Sequence, residues 1–280
     1  MRVACVQANV FFGHPDWNAE AAENKLAELH TEGVDLAIFP EAYLTGYCVD
    51  SKEEALALAL PRSHPALTRV HRASERLGIT SIIGFAEDDH GDLYNTAALF
   101  EPGTEPRYYR KSHLPELGLD KHVGRGDELP VFETKLGKIG ILICFDQRLP
   151  EPARVLALRG AELIALPTNW PEGAEHSAEV MCRARAAENR VFMATCNRVG
   201  IEGGFTFIGR SKIIGVTGEV LASAHGAEQT IVADIDLAEA RKKRTVNVPG
   251  KYEMTIFASR RPELYNDLLN QSLNVEQLIQ

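Results

Sequence analysis

A chain of 280 residues with 45% hydrophobic and 25% charged side chains has the balance of a globular protein with a sizeable core, which argues against disorder. Its net charge of −9 argues against a nucleic-acid partner, because a phosphate backbone demands a basic face. Five cysteines without a CxxC pair argue against disulfide and zinc frameworks. With no signal-peptide pattern at the start and no run of about eighteen apolar residues, the expectation is a cytoplasmic protein with no membrane partner.

Short β-branched runs alternate with amphipathic stretches along the chain. A strand is expected at residues 3–7, a helix at 18–32, a strand at 35–39 and a helix at 63–77 that Gly78 stops. Strands follow at 79–85, 94–100, 107–110 and 139–144, then a helix at 152–159 stopped by Gly160. The remaining elements are a strand at 163–166, a helix at 174–190, and strands at 191–196, 205–214 and 230–235. The acidic run from Glu87 to Asp92 lacks the terminal glutamate of a calcium loop and reads as a hairpin turn. Arg241-Lys242-Lys243-Arg244 reads as a solvated helix end. No linker or repeat divides the chain, so one domain over residues 1–280 is expected, with a tail from about 259 to 280. Strands without intervening helices imply some antiparallel pairs, hence a mixed sheet or two packed sheets.

Three strands end on residues that carry chemistry. Residues 36–41 run Leu-Ala-Ile-Phe-Pro-Glu, so proline halts the strand and Glu41 stands at its carboxyl end, where open α/β sheets gather ligands. The strand before Cys144 ends on a thiol, and the one before Lys111 ends on an ammonium. Each alone reads better as a surface glutamate, a small core hydrophobe or an ordinary lysine. Together they form a chemical set. A thiol with an ordinary pKa of about 8.5 needs a base, a desolvated carboxylate can supply one, and a lysine cation suits a developing oxyanion. His113 and His176 are the candidates for an alternative Cys–His pair, although neither lies in a cysteine-protease signature. HExxH, GxxxxGK[ST] and GxGxxG are absent, so no metal or nucleotide motif is found.

Phe39 to Tyr47, Tyr109 to Pro115 and Ile143 to Glu151 resemble, in order and spacing, the three catalytic blocks of the nitrilase superfamily of carbon–nitrogen hydrolases. Leu93 to Ala97, Leu166 to Trp170, Arg183 to Asn189 and Asn197 to Gly200 extend the resemblance over about residues 3–258. It implies an α/β fold of the αββα type, two packed mixed sheets with helices outside, in a homodimer or larger homo-oligomer. It also implies Glu41 as general base, Lys111 as oxyanion partner, Cys144 as nucleophile and the amide of Phe145 as a second oxyanion donor. A further family glutamate has its counterpart in Asp120, one methylene shorter, with Glu116 as the competitor. Tyr47, Asn169 and Trp170 are placed at the substrate pocket, with ordinary aromatic packing the alternative for Tyr47 and Trp170. Arg148, Glu151, Glu188 and Asn189 are expected to be buried scaffold. Arg148, Trp170, His176 and Arg198 are candidates to meet a substrate's carboxylate or aromatic tail. The implied activity is hydrolysis of a small carboxamide or N-carbamoyl compound by water, through a thioester, with no cofactor and no metal. Phe145-Asp146 after the nucleophile resemble the amidase and carbamoylase branches. Nitrile hydrolysis, acyl transfer and a catalytically silent scaffold or binding protein are the alternatives.

Overall fold

A computed structural model describes residues 1–269; the part of the expected tail at 270–280 lies outside the described residues. The chain divides into two compact units, Met1–Arg241 and a second that begins at Lys242.

The first half of the chain supplies strands β1 (Arg2–Gln7), β2 (Leu36–Ile38), β3 (Thr80–Asp89), β4 (Asp92–Phe100) and β5 (Arg107–Arg110). The second half supplies β6 (Val131–Thr134), β7 (Gly137–Ile141), β8 (Leu163–Thr168), β9 (Phe192–Asn197) and β10 (Val199–Glu202). It continues with β11 (Phe205–Ile208), β12 (Lys212–Ile214), β13 (Val220–Ser223) and β14 (Gln229–Asp234). Two six-stranded sheets result, ordered β14-β1-β2-β3-β4-β5 and β13-β12-β9-β8-β7-β6. Each is mixed. Strands β1, β2 and β3 are parallel in one, β7, β8 and β9 in the other, and the flanking pairs are antiparallel. The sheets meet at β9, where the buried Cys196 Sγ donates to the carbonyls of Val6 at 3.3 Å and Ile38 at 3.0 Å.

Helices cover the outer faces. Pro15 and Pro65 open α1 (Pro15–Thr31) and α3 (Pro65–Leu77), where proline's missing N–H is harmless, and left-handed Gly78 ends α3. Ala19, Ala22, Leu26 and Leu29 of α1 join Ala66, Leu67, Val70 and Ala73 of α3 in one buried cluster with the first sheet. The shorter α2 (Lys52–Leu58) is capped by Ser51. On the second sheet α4 (Pro150–Leu158) lies close over β7, because any Cβ on Gly140 would stand 2.8 Å from Leu156 Cδ1. Beside it runs α5 (Cys182–Asn189), and α6 (Leu237–Arg241) closes the unit. The architecture is the expected αββα sandwich.

Three sequence expectations change. The strand expected at 205–214 is two strands, because Gly209 and Arg210 both take positive φ, 64° and 61°, and break the ladder. The helix expected at 174–190 is helical over 175–189 but is interrupted by a π-helical turn, Ser177–Met181, before α5. The basic run is not one helix end: Arg241 ends α6 and pairs with Glu162, whereas Arg244 opens β15 (Arg244–Val248), which pairs antiparallel with β16 (Tyr252–Thr255) in the second unit. The 87–92 segment is the hairpin joining β3 to β4, with His90 and Gly91 at φ 57° and 97°.

Candidate active site

Local backbone chemistry delivers each side chain. After β2, Phe39 N–H still donates to Ile82 O at 2.8 Å, then Pro40 ends the ladder and Ala42 turns at φ 48°. This turn lies directly on Gly84 of β3, where a Cβ would stand 2.4 Å from Ala42 N and 2.7 Å from Pro40 O. Only glycine lets the Glu41 backbone approach so closely. Lys111 follows β5 and is fixed by its N–H donating to Asn95 O and its carbonyl accepting from Gly126 N–H, both at 2.8 Å. Cys144 opens a 3₁₀ turn, Cys144–Arg148, at a φ of 44°, a conformation that costs a non-glycine residue energy and must be held by its surroundings.

Asp146 is the holding group. Its Oδ2 accepts from Ile143 N–H at 2.9 Å and from the Tyr109 hydroxyl at 2.7 Å, while Oδ1 accepts from His113 N–H at 3.0 Å. The His113 ring Nδ1 also lies 2.8 Å from Asp146 Oδ1, so this histidine serves the turn and not the thiol. His176 is exposed. The amides of Cys144 and Phe145 open the turn and have no acceptor within it.

Lys111 joins two carboxylates. Its Nζ donates to Glu41 Oε1 at 2.7 Å and Asp120 Oδ2 at 2.5 Å, with all three side chains sealed from solvent. Asn95 Nδ2 donates to Glu41 Oε1 and to Asp120 Oδ1, both at 2.8 Å, and the Tyr47 hydroxyl donates to Asp120 Oδ2 at 2.7 Å. Asp120 sits in the 3₁₀ turn Gly118–Lys121, whereas Glu116 is exposed. Glu41 Oε2 has no partner among the described residues.

One cation against two carboxylates sets the electrostatics. Burial raises the Glu41 pKa and the Asp120 charge adds to it, against the opposing pull of Lys111 and Asn95. Burial works against the Lys111 charge, but Asp120 and Glu41 outweigh it and hold the ammonium above its usual range. Burial and the nearby Glu41 carboxylate push the Cys144 thiol up to about 12, while Lys111, Thr168 and the Asn169 amide act the other way. Burial, then Asp120, pushes the Tyr47 phenol well above its ordinary value, so it remains a donor.

Asn169 and Trp170 follow β8, beside Cys144 in the sheet order. Asn169 is 1% exposed, and neither end of its carboxamide has a partner among the described residues. Trp170 is buried, its N–H donating to Asn197 Oδ1 at 2.8 Å, and Phe145 is half-buried. Other expectations do not hold. Arg148 and Glu151 are exposed, not buried scaffold. Arg198 is fully buried and paired with Glu202 at 2.6 Å, so its guanidinium is already occupied. The sequence reading gives Asn95 and Gly84 no role and treats Asp146 only as a branch marker after the nucleophile. For Asn95 the available signals are its place in the family-like stretch Leu93 to Ala97 and a polar amide within the apolar strand β4. Among the described residues no cluster of three or more His, Cys, Asp or Glu side chains is arranged to hold a metal ion.

The chain matches the carbon–nitrogen hydrolase family over residues 2–245. It is 36% identical over 270 residues to a nitrilase of Pyrococcus abyssi, covering 95% of this chain and 99% of that protein. It is 33% identical over 282 residues to the N-carbamoylputrescine amidase of Arabidopsis thaliana, covering 92% of each. A solved carbon–nitrogen hydrolase from Helicobacter pylori superposes with a TM-score of 0.86 at 25% identity, over 97% of this chain and 99% of that one. A match this long, on a sandwich whose strand ends bring Glu41, Lys111 and Cys144 together, means that the chain belongs to the carbon–nitrogen hydrolase family.

Proposed function

We propose that the protein hydrolyses a small carboxamide or N-carbamoyl compound, with Cys144 as nucleophile, Glu41 as general base and acid, and Lys111 with the Phe145 amide as the oxyanion site. The observation that carries this reading is Lys111 held between Glu41 and Asp120, with Glu41 Oε2 left without a partner among the described residues and the Glu41 carboxylate raising the thiol pKa of Cys144. A raised carboxylate is a better base and a raised thiol a poorer acid, so proton transfer before attack is unfavourable. Attack and deprotonation are therefore coupled. Sulfur bonds to the carbonyl carbon as its proton passes to Glu41, and the charge appears on the carbonyl oxygen, beside the cation.

Collapse of that intermediate breaks the C–N bond, and protonated Glu41 hands its proton to the departing nitrogen. Water then adds to the thioester while Glu41 takes its proton, the C–S bond breaks, and the proton returns to sulfur as the acid leaves. Asp120, Tyr47 and Asn95 keep Lys111 charged and oriented. Asn169 offers an uncommitted donor and acceptor to the substrate, and Trp170 a wall.

Mass spectrometry after mixing with primary amides, N-carbamoyl compounds and nitriles tests this. The expected result is an acyl adduct on Cys144, ammonia release, no turnover by Cys144→Ala, and amides consumed faster than the matching nitriles. Turnover by Cys144→Ala would sink the mechanism, and nitriles consumed faster than amides would transfer the reading to the activity for which the Pyrococcus abyssi relative is named.

No helix among the described residues is long and apolar enough to cross a membrane. We further propose that the chain acts as one cytoplasmic hydrolase domain in a homodimer or larger assembly. A monomer in sedimentation at working concentration would remove the assembly, and recovery from a membrane fraction would remove the location.

A further inference from the structure

Tyr47 reaches the site from the loop between β2 and α2, six residues beyond Glu41. Its hydroxyl sits 2.7 Å from Asp120 Oδ2 and 2.9 Å from Leu117 O, its carbonyl accepts from Leu119 N–H at 2.8 Å, and Gly118 packs against its ring. These contacts tie Tyr47 to the Asp120 turn on one side only. On the other side, Gly46 N–H donates to Ala42 O at 2.8 Å, and the Tyr47 amide itself is held by a side chain from a hairpin distant in sequence. Glu202, at the end of β10, accepts from the backbone N–H groups of both Tyr47 and Cys48 on its Oε1, each at 2.8 Å. Its Oε2 accepts from Arg198 Nη1 at 2.6 Å.

Neither Glu202 nor Arg198 reaches the reacting atoms, yet both are buried, at 7% and 0% exposure. A buried ion pair is weak support for stability by itself, since desolvation offsets much of the attraction. This one is fixed on both sides. The Arg198 guanidinium lies over the Phe207 ring at 4.5 Å, and Nη2 reaches Asn9 Oδ1 at 3.3 Å and Val10 O at 3.4 Å. A carboxylate so held is a rigid acceptor, and two consecutive amides that converge on one of its oxygens cannot rotate away.

We propose that Glu202 is a positioning residue for the reaction: its grip on the Tyr47 and Cys48 amides sets the Tyr47 hydroxyl on Asp120, and so fixes Lys111 between Asp120 and Glu41. The proposal rests on the hydrolase reading given above. It makes the β10–β11 hairpin part of the catalytic apparatus through a single side chain. Released from Glu202, Tyr47 loses the outer half of its hold, and displacement of a catalytic group by about an ångström costs roughly a hundredfold in rate.

The test separates grip from ion pair by neutralising Arg198 throughout, so that no guanidinium is left stranded. Arg198→Met with Glu202→Leu removes the acceptor, and kcat should fall about a hundredfold per folded monomer with little change in KM. Arg198→Met with Glu202→Gln keeps an oxygen for both amides and should restore most of kcat. Adding Tyr47→Phe to the leucine pair should lower kcat no further, because the hydroxyl contact is already lost, whereas Tyr47→Phe in the glutamine pair should show its full effect. Independent, additive losses would overturn the proposal, as would a folded glutamine pair as slow as the leucine pair. Should the leucine pair fail to fold, the glutamine pair and its Tyr47→Phe derivative decide alone: near wild-type kcat for the first and a large loss for the second supports the grip, and a slow first or an unaffected second overturns it. Cys144→Ala in the same assay keeps the two ideas apart, since turnover there would refute the hydrolase mechanism while additive losses would refute only the grip.

Discussion

Two buried glutamates lie within one sheet's reach of each other and behave in opposite ways. Glu87 on β3 accepts from Arg110 Nη2 at 2.6 Å, Arg62 Nε at 2.7 Å and Thr96 Oγ1 at 2.6 Å, and Arg110 also pairs with Asp89 at 2.7 Å. Burial would raise its pKa, but the arginines and the hydroxyl outweigh it and hold the carboxyl below its usual range. At Glu41 burial is the leading influence, its one cation is shared with Asp120, and its pKa is raised. The two cations responsible, Arg110 and Lys111, are neighbours in sequence, and the pleat sends them to different carboxylates. A carboxylate in a cluster with more carboxylates than cations keeps a raised pKa, and one gripped by two arginines and a hydroxyl is held down.

The largest expected effect breaks the first cluster. Lys111→Ala removes the cation from two buried carboxylates and an electrostatic contribution on the order of several kcal/mol from the transition state. We expect kcat to collapse and Tm to fall. A change confined to KM would recast Lys111 as a ground-state binding residue.

A smaller effect sharpens the comparison. Asp120→Asn takes away a charge that raises the Glu41 pKa, so the Glu41 pKa falls and the acid limb of the kcat profile moves to lower pH. Loss of Lys111 orientation should also cost up to about a hundredfold in acylation rate. A limb that stays in place or moves upward would contradict the charge-excess argument.

The smallest effect lies in the second cluster. Because the folded pKa of Glu87 is depressed, its ionised form adds stability above the unfolded carboxylate pKa, and that stability is lost as pH falls through the folded value. Glu87→Gln should therefore lower Tm at neutral pH, with the difference from wild type shrinking in acid, and leave kcat per folded monomer unchanged. A Tm deficit that persists undiminished in strong acid would mean that the side chain matters for its shape and not its charge.

The sequence reading found Glu41 and Cys144 because each follows an apolar run that stops at a polar side chain, whereas Lys111, after Arg-Tyr-Tyr-Arg, gains meaning only beside those two. Proline marks the stop before Glu41, and polar Asp146, Gln147 and Arg148 mark it after Cys144. What escaped was whatever depends on backbone conformation. The break at Gly209-Arg210 lies inside an apolar stretch that reads as one strand, and only positive φ at two successive residues divides it. Gly84 reads as a weak point in a strand, and its use is visible only when the Pro40–Ala42 backbone is seen lying on it. Arg198 was legible as a charge but not as the partner of Glu202, four residues on at the end of β10.

The protonated thiol of Cys144 bears on labelling chemistry. Cys48 is also half-buried, and its thiol too is pushed up to about 12, there by burial and by Glu202. Both thiols are held above their ordinary range, so electrophiles that wait for a free thiolate should modify both slowly. On the mechanism proposed above, discrimination comes from the electrophile's own carbonyl, which would occupy the oxyanion site and draw the Cys144 proton onto Glu41 as the bond forms. Reagents shaped like an amide should find one cysteine in five, and a resting enzyme without substrate should withstand mild oxidants that consume ordinary active-site thiolates.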